Sequence, residues 1–183
     1  MESKFTKDSK LTDLIKVYKK CIPKSTCNEL INKTATYNNW HHYGWLPYKH
    51  VKDELSALTT PADDLFATEF LPIVSKVVET YNNEVAQPFP FVVKEITNPE
   101  IHKFTIGTKM LPHHDHGYKG VPLLTVLGLL NDEFDGGEFI FWNDEIIKLE
   151  AGDILLFPSM FAYTHQISPI TKGNRYSVIS WIF

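Results

Sequence analysis

Cysteine is scarce in this chain of 183 residues, with only Cys21 and Cys27, so a disulfide-stapled scaffold is excluded and the two thiols match no zinc-ligand spacing. They read as ordinary buried side chains with no assigned role. Long apolar runs are also missing: nothing approaches the roughly 18 residues of a membrane span, and the opening MESKFTKDSKLTDLIKVYKK has no uninterrupted apolar stretch of the signal-peptide kind. The expectation is a soluble, cytoplasmic protein without a membrane partner. Positive charge is in deficit, and the net charge of -4 argues against a nucleic-acid partner held by a broad basic face. No repeat of 20–50 residues and no low-complexity tract appears, which excludes solenoids and flexible tails.

What is present suits one globular core. Apolar residues at 43% against 22% charged are far from a disordered composition, and the length suits a single domain over 1–183. The two halves differ in pattern. In residues 1–88, Thr26 and Glu29 resemble a capping box opening a helix through about Thr36, with Leu30 and Ile31 inward. A second helix is expected to start near Pro61, capped by Thr60, with Asp63 and Asp64 in its first turn. Its apolar positions Leu65, Phe66, Phe70, Ile73, Val74, Val77 and Tyr81 keep helical spacing, and Pro72 is expected to kink or split it. Between them, the stretch from Tyr37 to Glu54 fits neither period and is rich in aromatics from Trp40 to Tyr48. It reads either as a loop packing its rings on the core or as a flap that contacts a substrate.

From residue 89 onward the chain turns to short Val-, Ile-, Phe- and Thr-rich segments parted by Gly, Asn, Asp and Pro. FVVKEI, HKFTIG, PLLTVLGLLN, GGEFIFW, EIIKL, GDILLFP and RYSVISWIF read as successive strands. A mainly β fold follows, an antiparallel barrel or a double-stranded β-helix (jelly roll) core over 89–183, with the N-terminal helices packed on one sheet.

Within it, MLPHHDHGYKG concentrates His113, His114, Asp115 and His116. In an extended chain His113 and Asp115 share one face, and His114 and His116 the other. The pair with the carboxylate is the better metal candidate, because one carboxylate and two imidazoles on one side of an Fe(II) ion leave three positions open. The second imidazole has to come from a neighbouring strand. His165, between GDILLFP and RYSVISWIF, is the natural choice over His41, His42, His50 and His102. Gly136 and Gly137 read as a tight turn.

These motifs, taken in order, resemble the 2-oxoglutarate- and Fe(II)-dependent oxygenases, and within them the prolyl 4-hydroxylase branch. The similarity spans about Phe91 to Phe183: Phe104, Gly107, Met110 and His113 at three-residue steps, then Asp115, LTVLGLLNDEFDGGEFIFW, AGDILLFPS, His165 and Arg175. CIPKSTCNELI is similar to the segment that opens such domains. The resemblance implies Fe(II) held by His113, Asp115 and His165, 2-oxoglutarate as cosubstrate, O2, and ascorbate as reductant. It implies a dioxygenase that hydroxylates a prolyl residue in a peptide or protein substrate and releases succinate and CO2. Arg175 offers a planar fork for the distal carboxylate of 2-oxoglutarate. Thr125, facing inward on the adjacent strand, offers that cosubstrate a second hydrogen bond, and Trp181 walls the pocket or sits in the core. Tyrosines usual in the branch are replaced by Phe104, Met110 and Leu129. The alternatives are a cupin-like module that binds a metal or ligand without turnover, and an oxygenase acting on a free amino acid or another side chain. Nucleobase demethylation would need a basic groove that the charge balance disfavours.

Overall fold

The computed structural model describes residues 8–43, 57–86, 90–117 and 120–183. Two antiparallel sheets face each other, with helices on the outer face of the larger one. Thirteen strands can be named among the described residues. They are β1 (Lys16–Tyr18), β2 (His41–His42), β3 (Leu58–Pro61), β4 (Glu100–Phe104), β5 (Met110–His113), β6 (Leu124–Leu129) and β7 (Asp135–Gly136). The remainder are β8 (Phe139–Phe141), β9 (Glu145–Ile147), β10 (Ile154–Pro158), β11 (His165–Ile167), β12 (Ile170–Lys172) and β13 (Arg175–Ile182). The major sheet runs β1-β10-β6-β13-β4-β3-β2, the minor one β5-β11-β8-β9, and β12-β7 forms a short ribbon.

The sheet predicted from residue 89 onward therefore recruits β1, β2 and β3 from the N-terminal half, where only helices were expected. These strands are two to four residues long, too short to show a period. FVVKEI, expected as a strand, is not one. It makes one bridge, from Ile96 to Ile182, and backbone hydrogen bonds from Lys94 and Glu95 to Phe183, and Val92 is 75% exposed.

The first helix, α1 (Lys24–Thr34), starts before the anticipated capping box: the Cys27 amide already closes on Pro23 O at 2.9 Å, which places Thr26 inside the first turn. Leu30 is fully buried and Ile31 partly so. The second helix, α2 (Asp64–Val85), is capped by Asp63, whose Oδ1 accepts from the Phe66 amide at 2.8 Å. Thr60 and Pro61 belong to β3 instead of the cap. Pro72 does not split the helix. It lies on the exposed side, where water takes over the carbonyl that proline cannot serve, and the apolar stripe beneath continues unbroken. No described helix is long and apolar enough to cross a membrane. Cys27 is buried and Cys21 half-buried, both as free thiols, and burial raises the pKa of each.

The central strands of the major sheet serve two cores, as the alternation of side chains requires. Ile101, Val126, Leu124, Ile154, Leu156, Val178 and Ile182 point outward and pack on Phe66, Phe70, Val74, Val78 and Tyr81 of α2. Phe104, Leu127, Leu155 and Phe157 point inward and meet Met110, Phe139, Phe141 and Ile167 of the minor sheet. The aromatic stretch 37–54 is described only to Tyr43, which is buried in that inner core, so the flap expectation lies outside the described residues beyond it.

Candidate metal centre and cosubstrate pocket

The space between the sheets is not wholly apolar. A cavity there is lined by Tyr43, His102, Met110, His113, Asp115, Leu127, Phe139, Phe157, His165, Ile167, Ile179 and Trp181. His113 ends β5 and His165 begins β11, and the strand register sets them directly opposite, their ring centroids 4.2 Å apart. Asp115 follows two residues beyond His113. Its Oδ1 lies 3.6 Å from His113 Nε2 and 4.0 Å from His165 Nε2. One ligand atom from each of the three lies within 4.8 Å of the others, the only such trio among the described residues. Donors around an ion at bonds of ~2.1 Å stand about 3 Å apart, so a small contraction would close them on a divalent metal.

Both imidazoles are oriented in the same way. His113 Nδ1 donates to Leu111 O at 2.7 Å and His165 Nδ1 to Tyr163 O at 3.0 Å, each reaching back two residues along its own chain. A carbonyl only accepts, so both protons sit on Nδ1 and both Nε2 lone pairs face Asp115. Burial keeps the rings neutral: it lowers the pKa of His165, and it takes His113 to about 3 with the neighbouring His165 acting in the same direction. The trio thus offers two neutral nitrogens and one carboxylate on a single side, a donor set suited to Fe(II).

His114 and His116 do not join the trio, as the alternation of faces requires. Neither do His41 and His42, and His50 lies outside the described residues. His102 lines the cavity without reaching the trio.

Thr125 corrects one expectation. Its hydroxyl donates to Asp115 Oδ2 at 2.6 Å and meets Ser159 Oγ at 2.8 Å. That proton is committed to the aspartate and not offered to a cosubstrate, and the bond leaves Oδ1 turned to the imidazoles. Ser159 escaped the sequence reading, since a serine after a strand carries no signal of its own. Trp181, paired in register with Thr125, is 3% exposed and forms part of the cavity wall.

Arg175 opens β13 and is 1% exposed. Its Nη1 donates to Ser177 Oγ at 3.0 Å and its guanidinium carbon lies 5.2 Å from the centre of the Phe104 ring. Desolvation lowers its pKa to about 10, which still leaves it charged at neutral pH. Among the described residues no carboxylate forms an ion pair with it. A buried cation without a counter-ion is costly, and a bidentate anionic ligand is what such a fork satisfies. Gly136 ends β7 and Gly137 follows it, both at positive φ, 77° and 66°. Gly137 also makes room for the arginine, because a Cβ there would lie 3.1 Å from Arg175 Cδ and 2.5 Å from Ile170 Cδ1.

Fold and site together define a jelly roll that carries a His-Asp-His trio able to hold a metal ion. Residues 99–183 match the 2OG-Fe(II) oxygenase superfamily. A PKHD-type hydroxylase, YbiX, of Escherichia coli O1:K1 is 33% identical over 90 residues, covering 46% of this chain and 39% of that protein. A PKHD-type hydroxylase of Methylobacterium nodulans is 27% identical over 96 residues, covering 45% and 41%. The matched region spans only about two fifths of those relatives. Among solved structures, a Trichoplax adhaerens prolyl hydroxylase in complex with a hypoxia inducible factor peptide fragment superposes with TM-score 0.74 at 16% identity, over 94% of this chain and 84% of that one. A Pseudomonas putida prolyl-4-hydroxylase gives 0.70 at 14% identity, over 92% of each. Residues 99–183, a little under half of the chain, carry this likeness to a superfamily named for 2-oxoglutarate and Fe(II). The chain's fold is the double-stranded β-helix of the prolyl hydroxylases.

Proposed function

We propose that this protein is a 2-oxoglutarate- and Fe(II)-dependent dioxygenase that hydroxylates a prolyl residue in a peptide or protein. The observation that carries the reading is Arg175, a buried guanidinium with no acidic partner among the described residues, on the inner face of the major sheet, while the minor sheet facing it carries His113 and His165 of the three-donor trio. A cupin-like binding module has no need of that cation. His113, Asp115 and His165 are the metal ligands. Arg175 grips the distal carboxylate of 2-oxoglutarate, with Ser177 steadying the fork. Thr125 is a positioning residue acting through Asp115, and Trp181 forms a wall that keeps water from the reacting centre.

With O2, the bound iron and 2-oxoglutarate supply an oxidative decarboxylation that yields succinate and CO2 and delivers one oxygen atom to a C–H bond. The chain's own contribution is orientation and exclusion of water. Its Nε2 lone pairs are already turned toward the ion's place, and Phe139, Phe157 and Leu127 keep the surroundings dry. Ascorbate serves as reductant. The prolyl assignment is supported by the fold of the two prolyl hydroxylases above and by the peptide bound to one of them.

The test is succinate release from 2-oxoglutarate with added Fe(II), followed by mass spectrometry of peptides incubated with the enzyme. Succinate together with a gain of one oxygen on proline is the expected result. Oxygen found only on other residue types would refute the prolyl assignment, and absence of succinate would refute the dioxygenase.

A further inference from the structure

We infer that His102 is a cosubstrate-binding residue: its imidazole donates a hydrogen bond to a carboxylate of 2-oxoglutarate, sharing with Arg175 the recognition of the diacid. The inference rests on the dioxygenase reading above and assigns a residue that neither the metal centre nor the arginine accounts for.

His102 sits mid-strand on β4, 4% exposed, on the inner wall. The register places it beside Ser177 of β13 on one side and Thr59 of β3 on the other, and cross-strand partners share a face. Two residues on, Phe104 lies beside Arg175. The His102 ring is edge-on to Tyr43 at 5.4 Å and to Phe104 at 6.4 Å, so its plane is held by aromatics on both sides. Its Nε2 is buried and makes no hydrogen bond, and the nearest acidic oxygen, Glu100 Oε2, is 4.0 Å away, beyond hydrogen-bond reach. The hydroxyl of Thr59, directly across the ladder, is likewise buried without a partner.

Buried polar groups are nearly always satisfied, so two adjacent orphans on one wall indicate a ligand that completes them. The ligand's charge follows from the surroundings. His102 lines the cavity that His113, Asp115 and His165 also line, and its register partner Ser177 takes the hydrogen bond from Arg175, so the imidazole neighbours both the trio's cavity and the guanidinium. Burial, with Arg175 adding to it, lowers the pKa of His102 to about 4, so the ring is neutral and carries one N–H near neutral pH. A neutral donor suits this place. It completes a carboxylate already paired with one guanidinium without burying a second positive charge.

The experiment uses Zn(II)-loaded protein, an inert stand-in for the ferrous form, and follows 2-oxoglutarate by calorimetry and by NMR of 15N-labelled histidine. Addition of 2-oxoglutarate is expected to shift the His102 ring nitrogen resonances, identified by their loss in His102→Gln. His102→Leu is expected to weaken 2-oxoglutarate roughly ten- to hundredfold, the range for a lost hydrogen bond to a charged group. His102→Gln, which keeps an N–H donor, is expected to recover most of that loss, and zinc affinity is expected to stay unchanged in both. Unmoved His102 resonances with wild-type affinity in His102→Leu, while Arg175→Met abolishes binding, would overturn the role of His102 and leave the dioxygenase reading intact. Failure of the unaltered, zinc-loaded protein to bind 2-oxoglutarate would overturn both. Should His102→Leu not fold, the resonances of the unaltered protein decide.

Discussion

The two faces of the major sheet are built from the same strands and have opposite characters. Outward, toward α2, the packing is almost entirely apolar, from Ile101 and Val178 to Phe66 and Phe70. Inward, the same strands carry His102, Thr125 and Arg175 among their apolar neighbours, all nearly inaccessible to water. The outer face is where burial stabilises the protein. The inner face accepts a penalty for desolvating polar groups; Thr125 recovers it within the protein through Asp115 and Ser159, whereas His102 and Arg175 recover it only when a ligand completes them. Stability and activity should therefore separate by face.

The strongest test of this contrast is Phe70→Ala, which opens a cavity beneath the sheet. It should cost about 3–5 kcal/mol in denaturant unfolding while the folded fraction keeps its affinity for 2-oxoglutarate. A comparable loss of ligand affinity per folded molecule would erase the distinction between the faces. Arg175→Met is the mirror experiment. Removing an uncompensated buried charge should leave the ligand-free protein as stable as before, or more so, in thermal melts, while 2-oxoglutarate affinity falls by about 100-fold or more. A clear loss of stability without loss of binding would show the guanidinium to be structural. Thr125→Val refines the picture further. It strips Asp115 Oδ2 of its partner and should lower metal affinity by about 10- to 100-fold, measured by competition with a chelating dye, with a smaller change in folding.

The sequence carried the metal centre well because its signal is local and chemical. His113 and Asp115 alternate onto one face, and the lone histidine between two strong strand patterns, His165, lies opposite His113 in register. Arg175 was legible for the same reason. What escaped were relations between remote strands. Nothing near Thr125 says that its hydroxyl points at Asp115 and Ser159 rather than into the pocket. His102 looked like any other histidine until the ladder set it between Thr59 and Ser177. The jelly roll and its helical cover were readable from the change of period near residue 89, whereas β1, β2 and β3 are too short to register as a pattern. Pro72 could be read as ending the helix, yet α2 runs on through it, with the proline on the exposed side.

Strand β13 has one further consequence. Arg175, Ser177, Ile179 and Trp181 lie on its inner side, while Val178, Ser180 and Ile182 lie on its outer side, locked by pairing to both β4 and β6. A slip of one residue would exchange the two sets, driving the guanidinium against α2 and aliphatic side chains into the reacting chamber. A chain threaded out of register would thus lose its oily seal and its anion grip together, leaving no half-working form to accumulate.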